Sequence, residues 1–96
     1  MATYLSLLNW TDQGIRNVKD APGRIDNAKK AFQGAGAELK AWYLAMGAYD
    51  MVLLAEAPDD ETVAKIILSL GALGNVRSQT MRLFSEADFR NKLCAK

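Results

Sequence analysis

Histidine is absent from this 96-residue sequence, cysteine occurs once and proline twice. Without imidazole, the commonest general base and half of the usual metal donor set are missing. A lone thiol, Cys94, can close no internal disulfide and build no thiolate cluster, which fits a reducing compartment. It reads as a passive helix-end residue. An excess of one charge is lacking too: 12 basic and 11 acidic side chains leave a net charge of +1, too little to hold nucleic acid or an anionic membrane. Long apolar runs are also absent. The longest uncharged stretch, Ile66 to Val76, is far short of the roughly 20 residues needed to span a bilayer. The opening MATYLSLLNW has no basic residue ahead of its apolar run, so no signal peptide is expected and the expected location is cytoplasmic. Gly34-Ala35-Gly36 lacks a third glycine at phosphate-loop spacing and precedes a strand, which argues against nucleotide binding. Asp59, Asp60 and Glu61 are adjacent rather than spaced like a calcium loop, so no metal site and no cofactor is expected.

What is present is half hydrophobic and 24% charged, the balance of one globular domain over residues 1–96. Thr3 to Trp10 is short, apolar and aromatic, a strand, and Thr11-Asp12-Gln13-Gly14 supplies turn chemistry. Pro22 suits a first helical turn, and Ile25, Ala28, Phe32 and Ala35 share one helical face that ends at Gly34 and Gly36. Glu38 to Ala45 and Tyr49 to Ala57 read as strands joined by a short hairpin at Met46-Gly47-Ala48. Three acids, Asp59 to Glu61, favour a helix start, and Val63, Ile66, Ile67 and Leu70 form its apolar stripe. Val76 to Phe84 is a more polar fourth strand. A short helix over Glu86 to Leu93 follows, with Ser85 as its N-cap.

The order βαββαβ plus a terminal helix predicts an α+β, ferredoxin-like sandwich. In that topology strands one and three are central and should be the most apolar, as LSLL and MVLLA are. The edge strands carry Glu38, Lys40, Arg77 and Arg82, charges that discourage edge pairing. Two helices cover only one face of four strands, yet neither face of strands one and three is polar. Leu5 and Leu7 lie opposite Tyr4, Leu8 and Trp10; Met51 and Leu53 lie opposite Val52 and Leu54. At about 25 cal/mol per Å², such a face left in water forgoes several kcal/mol. A second copy of the chain is the simplest cover, and a homodimer is expected.

Three segments carry a resemblance: Thr11-Asp12-Gln13-Gly14-Ile15, Gly47-Ala48-Tyr49-Asp50 and Gly74-Asn75-Val76-Arg77. In this order and spacing they resemble the GYD-domain family of small bacterial proteins, over nearly the whole chain. The resemblance implies a dimeric α+β barrel, in which two sheets face each other across a cavity. It implies no established activity.

Candidate functional residues follow from chemistry. Tyr49 and Asp50 could place a phenol and a carboxylate at the mouth of such a cavity, or stabilise a turn and pack. Asn75 and Arg77 could offer an amide and a planar guanidinium to a carboxylate or enolate, or stand as a loop residue and an edge-strand charge. Asn9 and Trp10, with Trp42 and Tyr43, could stack on an aromatic ligand, or fill a core or interface. The expected function is therefore an oligomeric module that binds a small apolar or aromatic molecule in an inter-sheet cavity, through Asn9, Trp10, Trp42, Tyr49, Asp50 and Arg77. The alternative, resting on fold analogy, is a cofactor-independent oxygenase or isomerase acting on an aromatic or enolisable substrate. There Asp50 would accept a proton, Tyr49 and Asn9 would donate, and Arg77 would stabilise an anion. Convergence of Tyr49, Asp50 and Arg77 on one cavity would favour the enzyme; an Asp50 that only holds backbone would disfavour it. Neither nucleic acid nor a membrane is an expected partner.

Overall fold

The computed structural model describes residues 1–94. Strand β1 spans Ala2–Trp10 and leads into a short helix α1, Asp12–Arg16, then a tight turn at Val18–Asp20 and helix α2, Ala21–Gly34. Strands β2 (Glu38–Leu44) and β3 (Met51–Ala57) precede helix α3 (Asp60–Ala72) and strand β4 (Val76–Leu83). A last helix, α4 (Glu86–Asp88), widens into an i→i+5 turn over Phe89–Leu93 that closes with Cys94 N–H donating to the Phe89 carbonyl. Cys94 lies exposed at its end. No described helix is long and apolar enough to cross a membrane.

The sheet order is β2-β3-β1-β4, with every neighbouring pair antiparallel. The two apolar strands are central and the two charged strands are edges, the ferredoxin-like arrangement that the pattern predicts. Three boundaries differ. Thr11 to Gly14 is helical rather than a simple turn, because the Thr11 hydroxyl accepts from the Gly14 N–H at 3.1 Å and caps α1. The β2–β3 connection is longer than the expected three residues. Strand β3 starts at Met51, so Tyr49 stands in the connection rather than in the strand. Strand β4 ends at Leu83, one residue short of Phe84. The helix starts hold as expected: Asp59 caps α3 by accepting from Thr62 N–H at 2.9 Å, and Ser85 caps α4 by accepting from Asp88 N–H at 3.0 Å.

Register decides which side of each strand is covered. Tyr4, Ser6 and Leu8 on β1 and Met51, Leu53, Ala55 and Ala57 on β3 are buried beneath the helices. Phe32 of α2 and Val63 and Ile66 of α3 complete this core, and Phe32 is only 1% exposed. The one buried polar residue of the sheet, Ser6, shares a hydrogen bond of 2.7 Å with Thr80 on β4. Its partner keeps the desolvated hydroxyl from costing stability. Tyr4 donates its phenol proton to the Asp60 carboxylate at the start of α3. That hydrogen bond, then burial, holds the Tyr4 pKa above its ordinary value.

The other side of the sheet has no helix over it. Leu5, Leu7, Val52 and Leu54 lie half-buried in its middle, covered only by each other and by flanking side chains. Met81, which pairs with Leu5, is 41% exposed, and Tyr43, which pairs with Val52, is 62% exposed.

Candidate functional site

The end of β1 is where the three motif segments meet. The backbone makes the first joins: Thr11 N–H donates to the Asn75 carbonyl at 3.0 Å, and Asp50 N–H donates to the Leu8 carbonyl at 2.9 Å. The end of β1 is thus held from both sides, by the start of β4 and by the β2–β3 connection. Side chains then lock each join. The Thr11 hydroxyl donates to the Gly74 carbonyl at 2.6 Å while also capping α1. Gln13 Nε2 donates to the Leu73 carbonyl at 3.1 Å and to Asn75 Oδ1 at 3.0 Å.

Gly14 shows why this segment takes its sequence. A β-carbon there would stand 2.0 Å from the Asn75 carbonyl oxygen and 3.1 Å from the Trp10 ring, so only glycine lets α1 lie against the β4 entry. Gly74 has φ +84°, in the left-handed region that glycine adopts without strain, and it turns the chain from α3 into Asn75. Thr11, Gln13, Gly14, Gly74 and Asn75 therefore form one joint. The sequence offers Gln13 as a turn residue and Asn75 as an amide for an anion or a loop residue, and their contact with each other is not legible in it. The one signal for it is a capping threonine three residues before a glycine.

Asp50 is held in the same joint. Its Oδ2 accepts from the Trp10 N–H at 3.0 Å and from Asn9 Nδ2 at 3.5 Å, and Asn9 Nδ2 also donates to the Ala48 carbonyl at 3.0 Å. The carboxylate replaces a missing strand partner just before β3 begins. Tyr49 reaches from the connection over β1 and donates to Gln79 Oε1 on β4 at 2.5 Å. Arg77 is exposed, directly across from Asn9 in the β1–β4 register.

The expected ligand set is therefore split by the sheet. Asn9, Arg77 and Gln79 share the open face by register, and Tyr49 bonds to Gln79 there. Trp10 and Trp42 face the helices with Leu8, Met51 and Leu53, against which both pack. Around them lies a cavity of about 100 Å³, lined also by Ala21, Ile25 and Ala28 of α2 and by Leu70 and Leu73 at the end of α3. The two tryptophans thus stand on the opposite side of the sheet from the polar candidates.

Two other charged features are explained locally. Lys40 lies 3.6 Å from Glu38 and 3.9 Å from Glu56 at the far end of the open face, exposed pairs that add little stability. The Arg82 guanidinium sits 4.5 Å from the Phe84 ring centre and 5.8 Å from that of Tyr4. Among the described residues, no group of acidic, cysteine or histidine side chains is placed to hold a metal ion.

The GYD domain family profile matches residues 4–93, the stretch that contains this joint in full. The chain belongs to the GYD-domain family. A Thermus thermophilus protein described as a glutamine synthetase and cystathionine beta-lyase binding protein is 32% identical over 94 residues, 97% of this chain and 99% of that one. Among solved structures, a protein from Thermus thermophilus superposes with a TM-score of 0.57 at 21% identity, over 88% of this chain and 95% of that one. The feast or famine regulatory protein from M. tuberculosis, solved with L-methionine, gives a TM-score of 0.67 at 15% identity over 88% of this chain. This GYD domain spans only about half of that regulator, 51% of its chain. At these identities the superpositions establish the shared ferredoxin-like fold.

Proposed function

We propose that this GYD-domain chain is a non-catalytic binding module. Two copies pair through their open sheet faces, and the pair binds other proteins, cytoplasmic metabolic enzymes such as glutamine synthetase and cystathionine beta-lyase. The observation that carries this reading is the open face itself. Its middle is apolar (Leu5, Leu7, Val52, Leu54 and Met81), with Lys40, Glu38 and Glu56 at one end and Asn9, Tyr49, Gln79 and Arg77 at the other. An apolar centre inside a polar rim is the make-up of a protein interface. The binding role draws its support from the Thermus relative, matched over almost the full length of both chains.

A small apolar or aromatic ligand between the paired sheets is the second reading. It is favoured by the Tyr49–Gln79 hydrogen bond and by Asn9 and Arg77, which would border such a cavity at one end. Oxygenase or isomerase chemistry draws less support. The Asp50 oxygen that would take a proton already accepts from the Trp10 N–H and Asn9.

Purified glutamine synthetase and cystathionine beta-lyase of the source organism, titrated with this chain on a biosensor, test the binding role. Saturable binding is expected to at least one enzyme, and to weaken tenfold or more with Leu54→Glu. No binding to either enzyme at about 100 μM chain, on the order of a weak transient interface, would overturn it.

A further inference from the structure

The cavity between the helices and the sheet is not used by the pairing reading, and it holds both tryptophans of the chain. Its walls are almost wholly apolar: Leu8, Trp10 and Val76 on the β1–β4 side, Trp42, Met51 and Leu53 on the β2–β3 side. The space comes from α2, whose inward stripe reads Ala21, Ile25, Ala28, Phe32. Where Phe32 fills the far half of the core, Ala21 and Ala28 stand opposite the two indoles and leave room. Protein interiors close such gaps as a rule, because lining atoms with nothing opposite them forfeit their dispersion contacts. Of the polar lining residues, Asn27 is exposed and Arg24 and Asn75 are half-buried, so together they mark the open side. Arg24 is fixed there by donating from Nη1 to the Asn17 carbonyl at 3.0 Å and from Nη2 to the Gly14 carbonyl at 3.2 Å. The joint at the end of β1 therefore also frames the cavity entrance.

We propose that this cavity is a binding site for a single-ring aromatic molecule, held between the Trp10 and Trp42 side chains with any polar substituent directed out past Arg24, Asn27 and Asn75. The class follows from size and surface. About 100 Å³ of apolar space accepts a group of roughly benzene size but no fused polycyclic compound, and aromatic walls favour a ring over an aliphatic chain. Polar atoms enough to orient one substituent stand only at the mouth, the usual division of labour in a ligand pocket. This inference is independent of the pairing reading, since the site lies on the other side of the sheet.

The test uses p-cresol as the probe, with methyl NMR on the full chain and tryptophan fluorescence excited at the red edge. Saturable shifts are expected at the methyls of Leu8, Leu53, Leu70, Leu73 and Val76, together with a saturable change in tryptophan emission. Ala28→Leu, which fills the space from α2 with a residue of good helix propensity, is expected to weaken binding at least tenfold. Its dispersed spectrum and cooperative melt report whether the variant is folded. If it unfolds, Ala21→Val serves as the filling variant and the wild-type titration still decides. Shifts that grow linearly to the solubility limit would overturn the site. So would saturable shifts confined to the methyls of Leu5, Leu7 and Leu54, which would move the ligand to the open face.

Discussion

The two faces of this sheet are built from alternate residues of the same strands, yet only one is covered by helices. On the helix side, Tyr4, Leu8, Met51, Leu53 and Ala57 are each at most 5% exposed, and they are capped by Phe32, Val63 and Ile66. On the open side, Leu5, Leu7, Val52 and Leu54 are as apolar but only half-buried. The difference comes from what lies above each face, since the residue types are alike. An alternating pattern with one polar face describes a sheet that ends in water. A sheet apolar on both faces describes one that expects a second layer, and the chain supplies helices for only one side.

This contrast can be broken by mutation. The largest effect is expected at Phe32→Ala, which removes a fully buried ring and should cost about 3–5 kcal/mol in a urea melt. Leu54→Ala on the open face, measured at dilution where copies are apart, should cost about 1 kcal/mol, because only part of that side chain leaves water in a single copy. Equal losses at the two sites would show that the open face is already closed within one chain.

The joint at the end of β1 comes next. Gly14→Ala should destabilise by about 2–3 kcal/mol, since the new β-carbon meets backbone that cannot yield without moving the β4 entry. Asp50→Ala should cost about 1–3 kcal/mol by leaving the Trp10 N–H unpaired, with Asp50→Asn milder because it keeps an acceptor oxygen. Wild-type stability in Asp50→Ala would return that carboxylate to the groups free for chemistry.

Smaller effects belong to the helix side and are read against pH. The Tyr4 pKa is raised in the folded chain, so its contribution is complete below about pH 10, its ordinary value, and is lost as pH climbs through the raised value. Asp59 runs the other way. Its hydrogen bonds from Thr62 lower its pKa, so its contribution is present above about pH 4 and is lost as acid takes the pH down through the depressed value. Tyr4→Phe should flatten the alkaline limb of stability against pH, and Asp59→Ala the acid limb. An alkaline limb unchanged in Tyr4→Phe would show that the Tyr4–Asp60 pair contributes nothing there.

Much of this was legible in the sequence, for identifiable reasons. The strand order followed from the element order βαββαβ, and apolar LSLL and MVLLA against charged edges at Glu38, Lys40, Arg77 and Arg82 agreed with it, because burial on two sides and exposure at an edge select different residues. The start of α3 at the acids Asp59 to Glu61 and the Ser85 cap were legible because helix-start interactions are local, within about three residues. The site was less so. The spacing of Trp10 and Trp42 says nothing about which side of the sheet they occupy until the register is known, and a one-residue change inverts it. Gln13 and Asn75 lie 62 residues apart, and their hydrogen bond exists only because α1 folds back over the start of β4. Tyr49 left the strand for a similar reason: the Trp10 N–H is taken by the Asp50 carboxylate instead of by backbone, so β3 begins only at Met51.

The most direct test of the open face is sedimentation velocity of the wild type and of Leu54→Glu across protein concentration. A concentration-dependent dimer is predicted for the wild type and a folded 10.5 kDa monomer for the variant. A wild type that stays monomeric at millimolar concentration, or a Leu54→Glu chain that dimerises as well as the wild type, would contradict pairing through this face.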